Sequence, residues 1–330
     1  MSLSVARFTT ARGARVYQIP VRAFPHLVAH AYLLIDGTYT ALIDTGSGAA
    51  ESNADLQAGI AAVRDQWGEP FTWGDLSRIV ITHGHIDHCG GLAFVHSLSD
   101  APVAAHPLDL AAVQDQSAYL EALIPTMAAF LRWAGAEAAQ AEQLARQFSA
   151  AWPKSSGGPV TDLLEDGCLL DGRLAVIHAP GHSAGQVCLR LEELLFCADH
   201  ILATTSPRLT PAHLEPHNGL AAYLAALERV AALPGLRLGL AGHEAPIDDL
   251  YGRIAGLREG HLGRLDQILA ICAEPRTILE IAEIIYRELR RRPSTLITAQ
   301  AIAARVEYLQ EQGWLEPTGG SEAPRFRRAR

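Results

Sequence analysis

Three histidines and an aspartate lie within six residues of the chain, in the segment His83-Gly84-His85-Ile86-Asp87-His88. Imidazole and carboxylate groups together are the ligands that zinc and related divalent ions prefer in proteins. The apolar residues 76–81 precede the segment and predict a buried strand that ends at it. A loop beginning there could turn His83 and His85 towards one metal ion and Asp87 and His88 towards another. The segment therefore predicts a metal site in a loop that follows a strand.

Four further polar residues come directly after apolar runs that predict strands. Asp44 follows residues 39–43, and Asp199 closes the run 194–198. His182 comes shortly after the run that ends at residue 178, and His243 follows residues 238–242. Because strand ends meet at the edges of a sheet, such residues can be collected into one site although they are far apart in sequence.

Composition restricts the class of protein. The 330 residues are 49% hydrophobic and 19% charged, as in globular proteins, and the start of the chain lacks the apolar segment of a signal peptide. No apolar run approaches the roughly 18 residues that span a bilayer, so no membrane association is expected. The five cysteines are scattered without a CxxC pair, which predicts no disulfide framework and a cytoplasmic location.

The order of predicted elements indicates two domains. Strand blocks alternate with helices twice, which favours two packed sheets with helices outside. Residues 108–151 are alanine-rich and helical in pattern and would form an insert that shapes a pocket. From about residue 255 the pattern is purely helical, with a helix over 261–273, two more helices and a final hairpin, as in a winged helix. The predicted domains are therefore 1–255, which is catalytic, and 256–330, which is winged-helix-like.

The polar residues resemble, in order and spacing, the full motif set of the metallo-β-lactamase superfamily. The resemblance covers about residues 15–250 and is to glyoxalase-II-like members, which have a bridging aspartate, rather than to true lactamases. It implies an α/β (α+β) fold, the αββα sandwich, and a metal-dependent hydrolase with two divalent ions that activate a shared water. Zinc is the ion most expected, with iron or manganese as alternatives.

The resemblance also implies a role for each residue of the motif set. The first ion would be bound by His83, His85 and His182, and the second by Asp87, His88 and His243. Asp199 would bind both ions. Asp44 would accept a hydrogen bond that orients a ligand histidine. Asp87 would also be catalytic, because it could orient the nucleophile and help to protonate the leaving group. One departure is small, since Ala198 stands where the family has glycine, and it would tighten the turn before the bridging aspartate.

Outside the motif set, His200 is a candidate for substrate contact because it follows Asp199 directly. The C-terminal residues 256–317 resemble the winged-helix extension of the lactamase-beta-2-type subgroup. Members of that subgroup cut single-stranded RNA or act as thioesterases on carrier-bound acyl chains, so the resemblance leaves the substrate open.

Charge gives some discrimination between these substrates. The net charge is −9, so the large acidic domain would repel a polyphosphate chain, although residues 276–330 are weakly basic. The pattern predicts that the last helix presents Arg305 against Glu307 and Glu311, a nearly neutral face where a nucleic-acid reader needs basic residues.

Three functions follow from these observations. The first is a hydrolase of a small or carrier-bound ester, thioester or lactone, thioesterase-like in its chemistry. The second is a metal-dependent endoribonuclease on single-stranded RNA, so nucleic acid is an alternative but not the favoured partner. The third is a binding or regulatory protein in which the winged helix recognises nucleic acid and the metal domain senses a ligand. A homodimer through the helical tail is also expected.

Overall fold

Two β-sheets form the centre of the protein, whose computed structural model describes residues 3–152, 155–288 and 294–329. The first sheet has seven strands in sequence order: β1 (Ala6–Thr9), β2 (Arg15–Phe24), β3 (Leu27–Asp36), β4 (Tyr39–Ile43), β5 (Arg78–Val80), β6 (Val103–Ala105) and β7 (Asp162–Leu163). The second sheet has five: β8 (Leu169–Leu170), β9 (Leu174–His178), β10 (Val187–Leu191), β11 (Leu194–Ala198) and β12 (Leu238–Ala241).

Parallel pairing places the predicted site residues at the ends of neighbouring strands. Strands β4 and β5 pair in parallel, so Asp44 and the segment after Val80 leave the first sheet at the same edge. In the second sheet β11 and β12 are also parallel, which brings Asp199 and His243 to neighbouring strand ends. The sheet topology therefore brings the polar residues that follow these strands close together.

The two sheets pack face to face and enclose an apolar layer. Side chains of the first sheet, such as Val16, Leu34 and Ile43, lie in one cluster with Val176 and Leu189 of the second sheet. The strands have near-continuous apolar character because both faces of each sheet are covered.

Helices cover the outer face of each sheet, as the αββα prediction required. The first sheet is covered by α1 (Ala50–Trp67), α2 (Ile86–Cys89) and α3 (Leu92–His96). Helix α4 (Leu110–Gln114) also contributes Val113 to the cluster under the first sheet. The second sheet is covered by further helices of the insert and of the C-terminal half: α5 (Gln116–Trp133), α6 (Ala138–Ala151), α7 (Leu220–Ala231), α8 (Leu250–Ile271), α9 (Ile278–Glu288) and α10 (Thr295–Glu311). The predicted fold class is confirmed. Within the described part of the chain, the helices fall short of the combined length and apolarity needed to cross a membrane.

The predicted boundary at residue 255 falls inside helix α8, which starts at Leu250 rather than at His261. The glycines at 252, 256, 260 and 263 weaken the helical pattern of the sequence. Burial of Ile254, Leu257 and Leu265 at helical spacing outweighs that cost, so tertiary packing extends the helix towards its N-terminus. The division into two domains stays a prediction, and no break in α8 marks it.

The C-terminal region has the predicted helices followed by a hairpin. Strands β13 (Leu315–Thr318) and β14 (Arg325–Arg328) pair antiparallel after α10. Thr277 caps α9 through a reciprocal pair of hydrogen bonds with Glu280, with N···O distances of 2.9 and 3.2 Å. Helix α9, helix α10 and the insert helices α5 and α6 share one apolar cluster. The tail is thus built onto the insert, and its winged-helix classification stays a prediction.

The face of helix α10 that carries Arg305 and Glu307 packs against the loop at residues 212–213 and against α8 instead of facing solvent, which corrects the expected neutral outer face. Glu307 accepts hydrogen bonds from the backbone N–H groups of Ala212 and His213, both at 2.8 Å. Arg305 bonds to His261 Nδ1 at 2.9 Å. Burial raises the pKa of Glu307 to about 7.

Replacement of Glu307 by glutamine is expected to flatten the pH dependence of stability. The pKa of Glu307 is raised in the folded protein from its ordinary 4.5 to about 7, so its contribution is fully present below about pH 4.5. The contribution is lost as pH rises towards 7. Urea unfolding at pH 5 and pH 8 should therefore show a smaller decline in Glu307→Gln, by about 1–3 kcal/mol. The matched control is Glu311→Gln at an exposed position of the same helix, and equal declines in both variants would contradict the expectation.

Candidate metal centre

The site lies in four loops at one edge of the two sheets. The loop after β5 supplies His83, His85, Asp87 and His88, with the last two on the short helix α2. The other three loops follow β9, β11 and β12 and supply one residue each, namely His182, Asp199 and His243. The structure therefore brings together all seven residues that the motif pattern singled out.

The possible ligand atoms form compact groups. In each of three groups the atoms lie within 4.8 Å of one another, and the groups are His83, His85 and His182; Asp87, His88 and His243; and His83, His88 and Asp199. The first two groups coincide with the two ligand sets that the resemblance implied.

Asp199 lies between the groups. Its Oδ2 is 3.4 Å from Nε2 of both His182 and His243, and its Oδ1 is 3.4 Å from His88 Nε2. Asp87 Oδ2 is 3.3 Å from His243 Nε2. One carboxylate oxygen, Oδ2, therefore lies near a histidine of each of the first two groups, which is the position that a bridging ligand would occupy.

The backbone around Asp199 is adapted to the site. Ala198 has a φ of +45°, in the left-handed region that glycine adopts more easily. A side chain at Gly242 would place its Cβ 2.3 Å from Asp199 Oδ1 and 2.7 Å from His88 Cε1. Only glycine at residue 242 leaves room for the carboxylate.

Three histidines of the cluster are held by hydrogen bonds at Nδ1, so Nε2 is the nitrogen that is left for a metal ion. His182 Nδ1 donates to the Arg208 carbonyl oxygen and His243 Nδ1 to that of Val28, both at 2.6 Å. His88 Nδ1 donates to Asp44 Oδ2 at 2.9 Å. Such bonds fix the tautomer and orientation of a metal-binding histidine.

Asp44 supports two ligand histidines. Besides His88, it accepts from the Thr82 hydroxyl and the Thr82 amide, both at 2.8 Å. The Thr82 hydroxyl oxygen in turn lies 3.1 Å from His83 Nδ1, from which it can accept. Asp44 therefore holds His88 directly and His83 through Thr82, and its role in orienting metal ligands stays a prediction.

Burial and neighbouring charges set the protonation of the cluster. Burial lowers the pKa of His83 and His85, and lowers that of His182 to about 4. For His88 and His243, burial also acts downwards, but the charges of Asp199 and Asp87 outweigh it and raise the pKa to about 9 and about 11.

The chemistry of this cluster fits divalent cations. Burial raises the pKa of Asp87 and Asp199, but the neighbouring imidazoles outweigh it, so both remain charged. His83 Nε2, His182 Nε2 and Asp199 Oδ1 are buried and lack hydrogen-bond partners among the described residues. Buried polar atoms without a partner are costly, and coordination of a cation would satisfy them. The identity of the ion is left open by these contacts.

Asp109 connects two of the ligand loops and was missed by the sequence analysis. Its buried carboxylate accepts from Gly84 N at 2.7 Å, beside His83 and His85, and from Ser183 Oγ and Gly185 N at 2.9 and 2.8 Å, beside His182. The available signal was the same as for the ligands, because Asp109 follows the apolar run 103–105 by a few residues.

A cavity of about 340 Å³ opens onto the site. Five of the predicted ligand residues line it at one end: His85, Asp87, His182, Asp199 and His243. Side chains of the insert, together with the residue directly after it, make much of its apolar wall: Leu120, Leu123, Met127, Phe148 and Trp152. The expectation that the insert shapes a pocket agrees with this geometry.

His200 does not line this cavity. Its side chain is fully buried and packs against Tyr223, with ring centroids 4.9 Å apart. The chain turns after Asp199, so adjacent residues point to opposite sides of the loop. The predicted substrate contact is therefore wrong in this structure.

Several polar cavity residues were not predicted, among them Tyr119, Arg208, Glu215 and Gln300. Tyr119 Oη donates to Glu215 Oε1 at 3.1 Å, and Asn218 Nδ2 donates to Glu215 Oε2 at 2.6 Å. Burial raises the pKa of Glu215 to about 7. These residues come from the insert, a loop and α10, and no short sequence motif links them.

The fold and the clustered ligands together define a metal-dependent hydrolase. Residues 25–243 match the family model described as "Metallo-beta-lactamase superfamily", and the chain belongs to that superfamily.

Solved structures extend the similarity to the C-terminal region. A metallo-beta-lactamase family protein from Thermus thermophilus is 26% identical with a TM-score of 0.75, covering 95% of this chain and 98% of that chain. A beta-lactamase domain protein from Burkholderia ambifaria is 23% identical with a TM-score of 0.75, covering 98% of this chain and 94% of that chain. Among curated proteins, none matches.

Proposed function

We propose that the protein hydrolyses a small or carrier-bound ester, thioester or lactone with an apolar acyl group. The observation that supports this most directly is the cavity, which joins the charged ligand cluster to an apolar wall. A pocket of this composition suits a substrate with one reactive polar group and a hydrophobic portion. The proposed ligand sets, with Asp199 as the bridge, would hold two divalent ions, of which zinc is the first candidate.

The roles of the chain's own residues follow from their positions. When bound, the ions would lower the pKa of a water molecule and polarise the substrate carbonyl. Asp87 lines the cavity, is held near His243 and remains charged, so it can accept a proton from the attacking water and deliver it to the leaving group. Asp44 and the carbonyl groups at Arg208 and Val28 keep the imidazoles oriented. The apolar wall excludes bulk water from the reacting bond.

Cleavage of RNA is less well supported. Helix α10, which would read nucleic acid in a winged helix, buries Ile302, Val306 and Leu309 against the rest of the protein. Two basic residues of the tail are paired, Arg325 with Glu280 at 2.7 Å and Arg327 with Glu316. The arginines at 290–292 lie outside the described residues.

The test is a substrate panel on protein of measured metal content. Benzoyl and octanoyl thioesters, a lactone and single-stranded RNA are incubated with the enzyme before and after chelation. We expect acyl hydrolysis that chelation abolishes and that added zinc, iron or manganese restores. Metal-dependent cleavage of RNA with no acyl hydrolysis would replace this proposal with the nuclease.

A substitution in the apolar wall is expected to change acyl-chain selectivity. Half-buried Leu123 lines the cavity, and Leu123→Trp would fill part of it. We expect kcat/KM for an octanoyl thioester to fall about tenfold or more relative to an acetyl thioester. The matched control is Leu169→Trp, at a site that is 59% exposed on β8. An unchanged octanoyl-to-acetyl ratio would show that the acyl group binds elsewhere.

We also propose a cytoplasmic location and a dimeric assembly for the protein. All five cysteines are free, which is compatible with the proposed reducing cytoplasm. A homodimer through the C-terminal helices is proposed as well, and the mass of the protein in solution tests it.

A further inference from the structure

The cavity contains one cationic side chain that the proposed chemistry does not use. Among the described residues that line the cavity, Arg208 is the only arginine or lysine. Its backbone is fixed beside the metal centre, because its carbonyl oxygen accepts the hydrogen bond from His182 Nδ1. The segment that carries the guanidinium group is therefore held by a hydrogen bond to His182, one of the proposed metal ligands.

The Arg208 guanidinium has no ion pair or hydrogen bond within the part of the chain that the structure describes. Asp87 and Asp199 act on it only at longer range, and burial lowers its pKa. The other cavity carboxyl, Glu215, is engaged by Tyr119 and Asn218. A neighbouring arginine shows the contrast, since Arg253 donates to the carbonyl oxygens of Leu202 and Thr205, both at 2.6 Å.

A partly buried arginine without a partner is costly unless an anion binds to it. The two nearby aspartates do not compensate it, because both are needed by the proposed ions. The positive charge of two divalent ions would exceed the negative charge of the two aspartates. The centre would therefore be positive and would favour an anionic substrate. Guanidinium binds carboxylate and phosphate through paired, charge-assisted hydrogen bonds.

We infer that Arg208 binds an anionic oxygen group of the substrate next to the scissile bond. The inference rests on the proposed function and narrows it to anionic acyl compounds. The anionic group is either a carboxylate on the acyl side or an anion on the leaving-group side, and the apolar wall takes the remainder of the acyl group.

Three thioesters separate these cases: S-ethyl thiobenzoate, S-ethyl 3-carboxythiobenzoate and S-(2-carboxyethyl) thiobenzoate. Thiol release is measured for the metal-loaded wild type, Arg208→Gln and Arg208→Lys. We expect Arg208→Gln to lower kcat/KM about 10- to 100-fold for one of the two anionic thioesters, mainly through KM, and less than threefold for the neutral one. Arg208→Lys should recover part of the loss, since it keeps the charge but not the paired geometry.

The matched control is Arg146→Gln, which removes the same charge from an exposed site on α6. Equal losses for neutral and anionic thioesters in Arg208→Gln, or the same selectivity change in Arg146→Gln, would overturn the inference. The anionic thioester that responds identifies the side of the substrate that carries the charge.

A binding measurement separates this inference from the proposed function. Calorimetry with isophthalate, an unreactive dicarboxylate, should show at least tenfold weaker binding to Arg208→Gln than to the wild type. Equal affinity would overturn the anion site even if thioesters are hydrolysed. Weaker binding together with no hydrolysis of any thioester would retain the anion site and refute the hydrolase proposal.

Discussion

Replacement of Asp199 by alanine is expected to lower hydrolysis by roughly 10³-fold or more, because a metal centre supplies the nucleophile in this class of reaction. Asp199 lies 3.4 Å from three histidine nitrogens that belong to both ligand sets. Without it, the carboxylate between the two sets is missing, and the chain loses the residue proposed to keep two ions close together. Elemental analysis should therefore find fewer than two ions per chain.

The matched control for this prediction is Asp166→Ala. Asp166 is 48% exposed, pairs with Arg229 at 2.7 Å and belongs to none of the groups of possible ligand atoms. The control should keep its metal content and its activity. Asp199→Ala protein that retained two ions and wild-type turnover would refute the bridging role. Circular dichroism of both variants verifies that each is folded.

The convergence of the seven candidate ligands could be predicted because its signal is local. Each ligand follows a strand, and the strand is visible as an apolar run in sequence. Parallel pairing of β4 with β5 and of β11 with β12 then carries these strand ends to one edge. The αββα architecture was predictable for the same reason, since alternating strand and helix patterns report which faces are covered.

The cavity could not be predicted in the same way, because its polar residues come from separate elements and none belongs to a motif. Arg208 lies in a loop without periodicity, and Gln300 is on a helix that the sequence placed in a separate domain. The orientation of α10 depends on long-range contacts such as those of Glu307 with Ala212 and His213. The predicted substrate contact of His200 was wrong for a related reason, because adjacency in sequence does not determine on which side of a loop a side chain lies.

Asp109 shows that a residue outside the motif can control the site. Its carboxylate joins the loop of His83 and His85 to the loop of His182 through three hydrogen bonds of 2.7–2.9 Å. A Cβ at Gly185 would lie 2.6 Å from Asp109 Cγ, so the two loops approach the carboxylate as closely as glycine permits. Because these three histidines form one group of ligand atoms, Asp109 is proposed to position one metal ion without touching it.

Replacement of Asp109 by alanine is expected to destabilise the protein by about 3–5 kcal/mol, since it leaves two buried backbone N–H groups and a hydroxyl without an acceptor. Affinity for one of the two ions should fall about 10- to 100-fold, as for other residues that orient metal ligands. Urea unfolding gives the first quantity, and metal titration with a competing chelator gives the second. The matched control is Asp115→Ala, which removes an exposed cap from Ala118 N in the same insert and should cost about 1 kcal/mol with no change in metal affinity. If both variants lose equal stability and bind both ions as the wild type does, Asp109 has no positioning role.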